Sequence, residues 1–240
     1  MFGRVVILFL LAGLAPLSSV AMGIRSFVAL PVEQGGAVAR LLAERNASAD
    51  VDTVVANLAY GLNARQTLLL GLPYRLSPSG PDRAGDLSIL LRQIVAQQDS
   101  RQGTRRVGLL AGLLAPTDSD RSAALRAAAV ATFYRQRQEW DLDIDWIGGS
   151  GDRPDRARYD VAWQYRLDPA RYPAWGTPAR EWDLDVELGG RWSQGGDVVH
   201  QATVGLQAIH DRWVLEGALV RDLNGPADAT RYLLSLRWHL

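Results

Sequence analysis

Residues 181–192, EWDLDVELGGRW, set Trp182, Leu184, Val186, Leu188, Gly190 and Trp192 on one parity and Glu181, Asp183, Asp185, Glu187 and Arg191 on the other. Side chains alternate faces along a strand, so the segment is predicted as a β-strand with one apolar and one ionised face. A helix would mix the two sets. The same order recurs at 139–147, where Trp140, Leu142, Ile144 and Trp146 oppose Asp141, Asp143 and Asp145. In 158–167, Tyr159, Val161, Trp163, Tyr165 and Leu167 oppose Asp160, Gln164 and Arg166. The last ten residues set Tyr232, Leu234, Leu236, Trp238 and Leu240 against Arg231, Ser235, Arg237 and His239.

Carried along the chain, the pattern predicts twelve strands, near 37–46, 51–62, 65–76, 84–97, 103–116, 121–136, 138–149, 156–168, 181–193, 196–209, 211–222 and 228–240. The segment RSAALRAAAVATFYRQ has the alanine content of a helix. Arg126 and Thr132 nevertheless share a parity opposite Leu125, Ala127, Ala129, Ala131 and Phe133, so it reads as a strand. Trp182 and Trp192 lie ten residues apart. At about 3.3 Å per residue and a tilt near 40°, that separation is about 25 Å of height, the apolar band of an outer-membrane barrel with an aromatic residue at each interface. An even strand count suits the same architecture. A secreted β-sandwich or lipocalin-like barrel also alternates, but it turns its charged face to water and uses strands of about five to six residues. The expected fold is therefore all-β, an antiparallel transmembrane β-barrel of about twelve strands. Trp140, Trp146, Trp182, Trp192, Tyr232 and Trp238 are its expected membrane-interface aromatics.

The connections support this reading. Asn63–Arg65 and His210–Arg212 are tight, as on a periplasmic side, whereas SPSGPDRAG, PTDSDR, GGSGDRPDR and NGPADA are polar, rich in glycine and proline, and fall on the other. One connection, 168–180, is long yet lands on the periplasmic side by strand parity. Either the count slips there or that loop serves the periplasmic mouth.

Composition adds limits. The 26 basic side chains are all arginine and balance 26 acidic ones, so nothing favours nucleic-acid binding, which needs a positive surplus on one face. Zero cysteine removes disulfides, thiolate metal sites and cysteine nucleophiles. At 48% hydrophobic and 22% charged, the chain is too apolar for disorder. Arg4 followed by VVILFLLAGLAPL, with Ser19 and Ala21 before a cleavage point, reads as a signal peptide over 1–21, leaving one barrel domain at 22–240. No later apolar run approaches about 18 residues, so no membrane-spanning helix is expected.

FVALPVEQGGAVAR (27–40), YGLNARQTLLLGLPYR (60–75) and GLLAPT (112–117) resemble signature segments of the MetA-pathway phenol-degradation family of outer-membrane barrels. The resemblance implies passage of small, often aromatic or hydrophobic, compounds across the bacterial outer membrane. It brings no catalytic residues. The last strand also resembles the signal read by the barrel-assembly machinery, although that signal usually ends in phenylalanine or tryptophan and this chain ends in Leu240.

If the apolar parity meets lipid, the other lines the lumen. Asp141, Asp143, Asp145, Asp160, Asp183, Asp185, Glu187 and Glu216 come from the seventh to eleventh strands. Arg75, Arg92, Arg106 and Arg126 come from the third to sixth, Arg231 and Arg237 from the twelfth, and Arg40 from the first. Closure would set an acidic wall against a basic one. Such a field can orient solutes in a water-filled pore, or the charges can pair and fill it. About eight strands give a filled interior and about sixteen an open channel, so twelve leaves both outcomes standing. Pro73 offers a sideways exit into lipid or merely a strand end.

Enzyme readings find little. His200, His210 and His239 lack a serine two residues on, as a twelve-stranded outer-membrane phospholipase would require, and they lack metal-ligand spacing. Acids two apart on one strand face sit about 6.6 Å apart and do not converge as a chelating loop. The glycine pairs 148–149, 189–190 and 195–196 read as turns or kinks. No catalytic residue, cofactor or metal is expected. The partners expected are outer-membrane lipid, a small solute and the assembly machinery.

Overall fold

In a computed structural model of the chain, which describes residues 23–101, 103–168, 180–225 and 229–240, strand follows strand without a helix among the described residues. The twelve are β1 (Ala37–Asn46), β2 (Val51–Asn63), β3 (Gln66–Ser77), β4 (Leu87–Ser100), β5 (Gly103–Ala115), β6 (Ala124–Arg135), β7 (Gln138–Gly148), β8 (Arg156–Arg166), β9 (Glu181–Ser193), β10 (Val199–Ile209), β11 (Trp213–Asp222) and β12 (Thr230–His239). Each pairs antiparallel with its chain neighbours, and β1 pairs with β12 from Val38↔His239 to Asn46↔Arg231, which closes the barrel and removes every free edge. The expected signal peptide over 1–21, most of the 168–180 connection and part of the 223–228 loop lie outside the described residues.

All twelve strands expected from alternation are present, including the alanine-rich sixth. β4 is displaced at both ends. Ala84 bridges Tyr74 instead of β5, and the Gly85 amide donates to the Pro73 carbonyl at 2.7 Å, so 84–86 belong to the loop. At its other end β4 runs on to Ser100 because a bulge at Val95, between Ile94↔Gly108 and Ala96↔Val107, shifts its parity and keeps the ladder paired. Pro73 lies beyond the last β3–β4 pair, Gly71↔Ser88, so its missing donor interrupts no bond to β4.

The outer wall is apolar. Leu58, Leu72, Leu109, Leu142, Ile144, Leu188, Val204, Leu206, Leu219 and Leu234 are exposed there, with Trp140, Trp146, Trp182, Tyr232 and Trp238 near the strand ends. Trp192 shares the outward parity and is half-buried. Gly190 leaves a bare patch in that wall which the Tyr159 ring covers. A Cβ at Gly190 would sit 2.3 Å from the ring. The inner wall carries charge. Asp141, Asp143, Asp145, Asp160, Asp183, Asp185, Glu187 and Glu216 are all buried. This inverts the polarity of a water-soluble barrel and matches that of a lipid-embedded one.

Candidate functional site

The interior is built from adjacent strands whose inward residues follow the pleat. Several of its charges pair along the wall with a nearby strand. Arg126 on β6 donates to Asp145 on β7 at 2.5 Å. Arg40 on β1 reaches Glu216 at 2.6 Å, and Arg237 on β12 donates to the same carboxylate. Arg231 donates to Asp222 at 2.5 Å. These pairs form where the acid-bearing strands β7 to β11 meet β12 on one side and β6 on the other. Neighbouring strands about 4.8 Å apart satisfy a buried charge more readily than groups across a barrel, while Asp141, Asp185 and Glu187 stand buried without an arginine ion pair among the described residues.

Two sites in that expectation lie at the mouths. Arg75 donates to the Pro81 carbonyl at the long-loop end, and Arg106 pairs with Asp99 at the tight-turn end. Arg92 has no carboxylate among its described partners and donates to the Val28 carbonyl and the Thr67 hydroxyl. Arg158, which parity alone would have added, stands among Asp143, Asp145 and Asp160 at 3.6, 3.9 and 3.2 Å. Glu139 and Glu181 join the buried acids. Both oxygens of Asp185 lack a hydrogen bond from any described residue.

What fills this interior is the chain that precedes β1. Residues 23–33 lie in the lumen as a strap that descends to the tight-turn end, where the Val32 amide donates to the Thr67 hydroxyl at 3.4 Å. Its backbone is held by the wall. The amides of Arg25, Phe27 and Ala29 donate to Glu187, Asp143 and Thr132 at 3.0, 2.7 and 2.9 Å. The carbonyls of Ile24 and Val28 accept from Arg40 and Arg92 at 2.6 and 2.7 Å. Its side chains find apolar ground. Ala29 packs with Leu90, Ile94, Leu110, Ala128 and Val130, with Phe27 alongside, while Ile24 packs with Val220 and Leu233. The guanidiniums of Arg126 and Arg158 lie over the Phe27 ring, each 5.1 Å from its centroid. The strap leaves the lumen over Gly61. The Gly61 amide donates to the Gly36 carbonyl at 3.0 Å, and a Cβ on Gly61 would lie 2.0 Å from the Glu33 oxygen.

FVALPV entered the sequence reading only as a family-like phrase, and its place in the lumen was missed. A signal existed. In GLLAGLLA (108–115), Leu110 and Leu114 point inward while Leu109 and Leu113 point outward. A strand apolar on both faces implies an apolar partner inside as well as lipid outside.

Beyond the strap, toward the long-loop end, lies a cavity of about 390 Å³ lined by Phe27. Val55, Leu69, Leu90 and Leu114 give it apolar walls, and Arg121, Arg126, Arg153 and Arg156 ring it. Asp86 pairs with Arg121 and Arg153 at 2.8 and 2.6 Å. On the loops outside the membrane, Asp82 shares a hydrogen bond with Asp118. That bond, with the like charge beside it, raises the Asp82 carboxyl above the ordinary carboxylate range, and the same bond lowers Asp118.

The histidines do not assemble a catalytic set. His200 Nδ1 meets the Tyr159 hydroxyl at 2.7 Å on the outer wall, and His210 stacks on Trp213 at a periplasmic turn. Among the described residues no three His, Asp or Glu side chains converge to hold a metal ion.

No family model matches the chain, and no curated protein matches it. The phenol-degradation family therefore stands as a resemblance only. Solved structures do match. The COG4313 outer membrane channel from Pseudomonas putida F1 is 16% identical and covers 92% of this chain and 100% of its own, with a TM-score of 0.52. The NanC porin is 10% identical over 84% of this chain and 100% of its own, at 0.58. LpxR from Salmonella typhimurium is 9% identical over 84% and 99%, at 0.50. At these identities the likeness is one of fold. The chain is built as a closed twelve-strand outer-membrane-type β-barrel, the architecture of these channels and porins.

Proposed function

We propose that this protein is a channel of the bacterial outer membrane for passive passage of small solutes, with the 23–33 strap controlling its bore. The carrying observation is the inverted wall, leucine and tryptophan outside and buried charges inside, around an interior built of wall plus a separable segment. The apolar, arginine-ringed cavity above Phe27 supports small aromatic or hydrophobic solutes as the transported class. The channel and porin folds among the similar structures, and the phrases shared with the phenol-degradation family, point the same way. Passage needs no cofactor, no energy coupling and no catalytic residue. The C-terminal strand, Thr230–His239, supplies the partner surface for the assembly machinery.

The strap also favours a second reading, a non-conducting structural or interaction barrel using loops 77–84, 149–155 and 223–228 as contact surface. Planar-bilayer recordings on the mature chain and on a variant lacking residues 23–33 separate the two. A channel gives small or infrequent openings in the first and larger, sustained conductance in the second. A folded, strapless barrel that stays sealed would overturn the channel reading. In the strapless channel, replacing Asp183, Asp185 and Glu187 by alanine lowers cation preference; an unchanged reversal potential would remove the lumenal acids from the transport path. Hydrolysis of purified lipid by the folded protein would instead support a lipid-modifying enzyme.

A further inference from the structure

The outer wall carries a second feature, at the periplasmic ends of β4 to β7. A groove of about 720 Å³ opens there, away from the lumen. Its floor lies at Gly103, where a Cβ would stand 2.0 Å from the Tyr134 carbonyl oxygen, so no other residue leaves this hollow. Register fixes its walls. Gln98 pairs with Arg105, Arg105 with Phe133 and Phe133 with Trp140, one outward-facing row across four strands. One rung nearer the periplasm, Arg135 pairs with Gln138. The bulge at Val95 brings Gln98 onto this row, since without it that side chain would face inward.

Arg105 and Arg135 are exposed, and neither has an acidic partner among the described residues. The nearest acids serve the other face. Asp99 points inward to Arg106, and Glu139 is buried in the lumen. Two unneutralised guanidiniums thus flank a hollow in the aromatic belt, beside Trp140 and Trp163, whose ring centroids are 6.4 Å apart. This end carries the tight turns, so the belt meets the periplasmic leaflet, whose headgroups are phospholipid. A guanidinium presents paired donors to phosphate oxygens, and the exposed Phe133, Leu109 and Leu142 continue the groove toward the acyl chains.

We infer that this groove binds the headgroup of an anionic phospholipid, with Arg105 and Arg135 on the phosphate and Phe133 and Trp140 against the glycerol and upper acyl chain. The inference rests on the outer-membrane reading, but not on conduction. Its test is native mass spectrometry of the folded barrel released from bilayers of phosphatidylcholine containing phosphatidylglycerol. Folding is scored first by heat-modifiable mobility. A chain that never folds into bilayers overturns the membrane reading and this inference together.

For the folded barrel, one retained phosphatidylglycerol is expected, preferred over phosphatidylcholine by about thirtyfold, the scale of a juxtamembrane arginine pair. The Arg105→Gln/Arg135→Gln variant loses that preference. Arg65→Gln/Arg212→Gln, at two other periplasmic turns, keeps it. The Arg105→Lys/Arg135→Lys variant retains part of it, since charge survives and the planar fork does not. Absence of preference in the unaltered protein, or an equal loss in the Arg65 and Arg212 control, would overturn the site.

Discussion

If the strap is held by its own contacts with the wall, Phe27→Ala should loosen it without unfolding the barrel. Phe27 is half-buried beside the Ala29–Leu90–Leu110 cluster and sits under two guanidiniums. Truncating a core phenylalanine costs about 3 kcal/mol at the lower end of its range, which suits a half-buried ring. Each lost cation–π contact adds about 0.5 kcal/mol. The sum, roughly 4 kcal/mol, raises the released population about a thousandfold. None of it falls on strand-to-strand pairing. The chain has no cysteine, so Ala29→Cys supplies a single thiol at a position fully buried against the wall. A water-soluble thiol reagent should label that cysteine slowly in the otherwise unaltered protein and about a thousandfold faster with Phe27→Ala. Heat-modifiable mobility should be the same in both. Equal labelling rates in two folded proteins would refute the claim that these contacts hold the strap.

Three further outcomes follow from other parts of the molecule. Gly61→Ala places a methyl against the Glu33 and Val32 carbonyl oxygens, at 2.0 and 2.6 Å, and should accelerate labelling of Ala29→Cys as Phe27→Ala does; an unchanged rate would deny that the strap passes there. Glu216→Leu leaves Arg40 and Arg237 without their shared carboxylate and should cost about 3–5 kcal/mol in urea unfolding from bilayers, with more than half restored by adding Arg237→Met. The Asp82–Asp118 pair gives a pH signature. Asp82 is raised, so its contribution to the loop contact is present below the unfolded carboxylate pKa and fades as pH rises through its own. Asp118 is lowered, so its contribution is present above the unfolded value and is lost as pH falls through its own. The loops should therefore associate best in mild acid, between the two titrations. Carbon-13 carboxyl titration should find them displaced in opposite directions, with Asp82→Asn abolishing the Asp118 displacement; two ordinary titrations would refute the shared proton. Both groups are fully exposed, so added salt should shrink the effect.

Alternation made the wall legible because a period of two carries both strand and facing. Trp182 and Asp183 differ by one position, and one meets lipid while the other is buried. Alternation does not carry register across strands or the fate of a segment that pairs with none. The pairing of Arg40 with Glu216 depends on β1 meeting β12 beside β11, a closure no local pattern encodes. Arg158 escaped notice although it shares the parity of Asp160, because the arginines of RARYDVAW looked unremarkable until their strand lay between two acidic neighbours. The strap escaped because its donors bond to side chains of distant strands, leaving FVALPV without a period. Its trace lay in its partners, the inward leucines that a water-lined wall would not keep. The groove at Gly103 was hidden for a similar reason, since the bulge at Val95 shifts which of Gln97 and Gln98 faces out.

The strap is joined to β1 through residues 34–36 alone, and that junction is pinned at the periplasmic rim by Gly61. A blocker on so short a leash cannot diffuse away. Its effective concentration at the lumen is on the order of millimolar or above. Release and return are therefore unimolecular, independent of how many barrels the membrane holds. A free peptide of the same sequence would have to be supplied at comparable concentration to replace a deleted strap. The strap's position is in that sense a property of each molecule alone, set by three residues of tether.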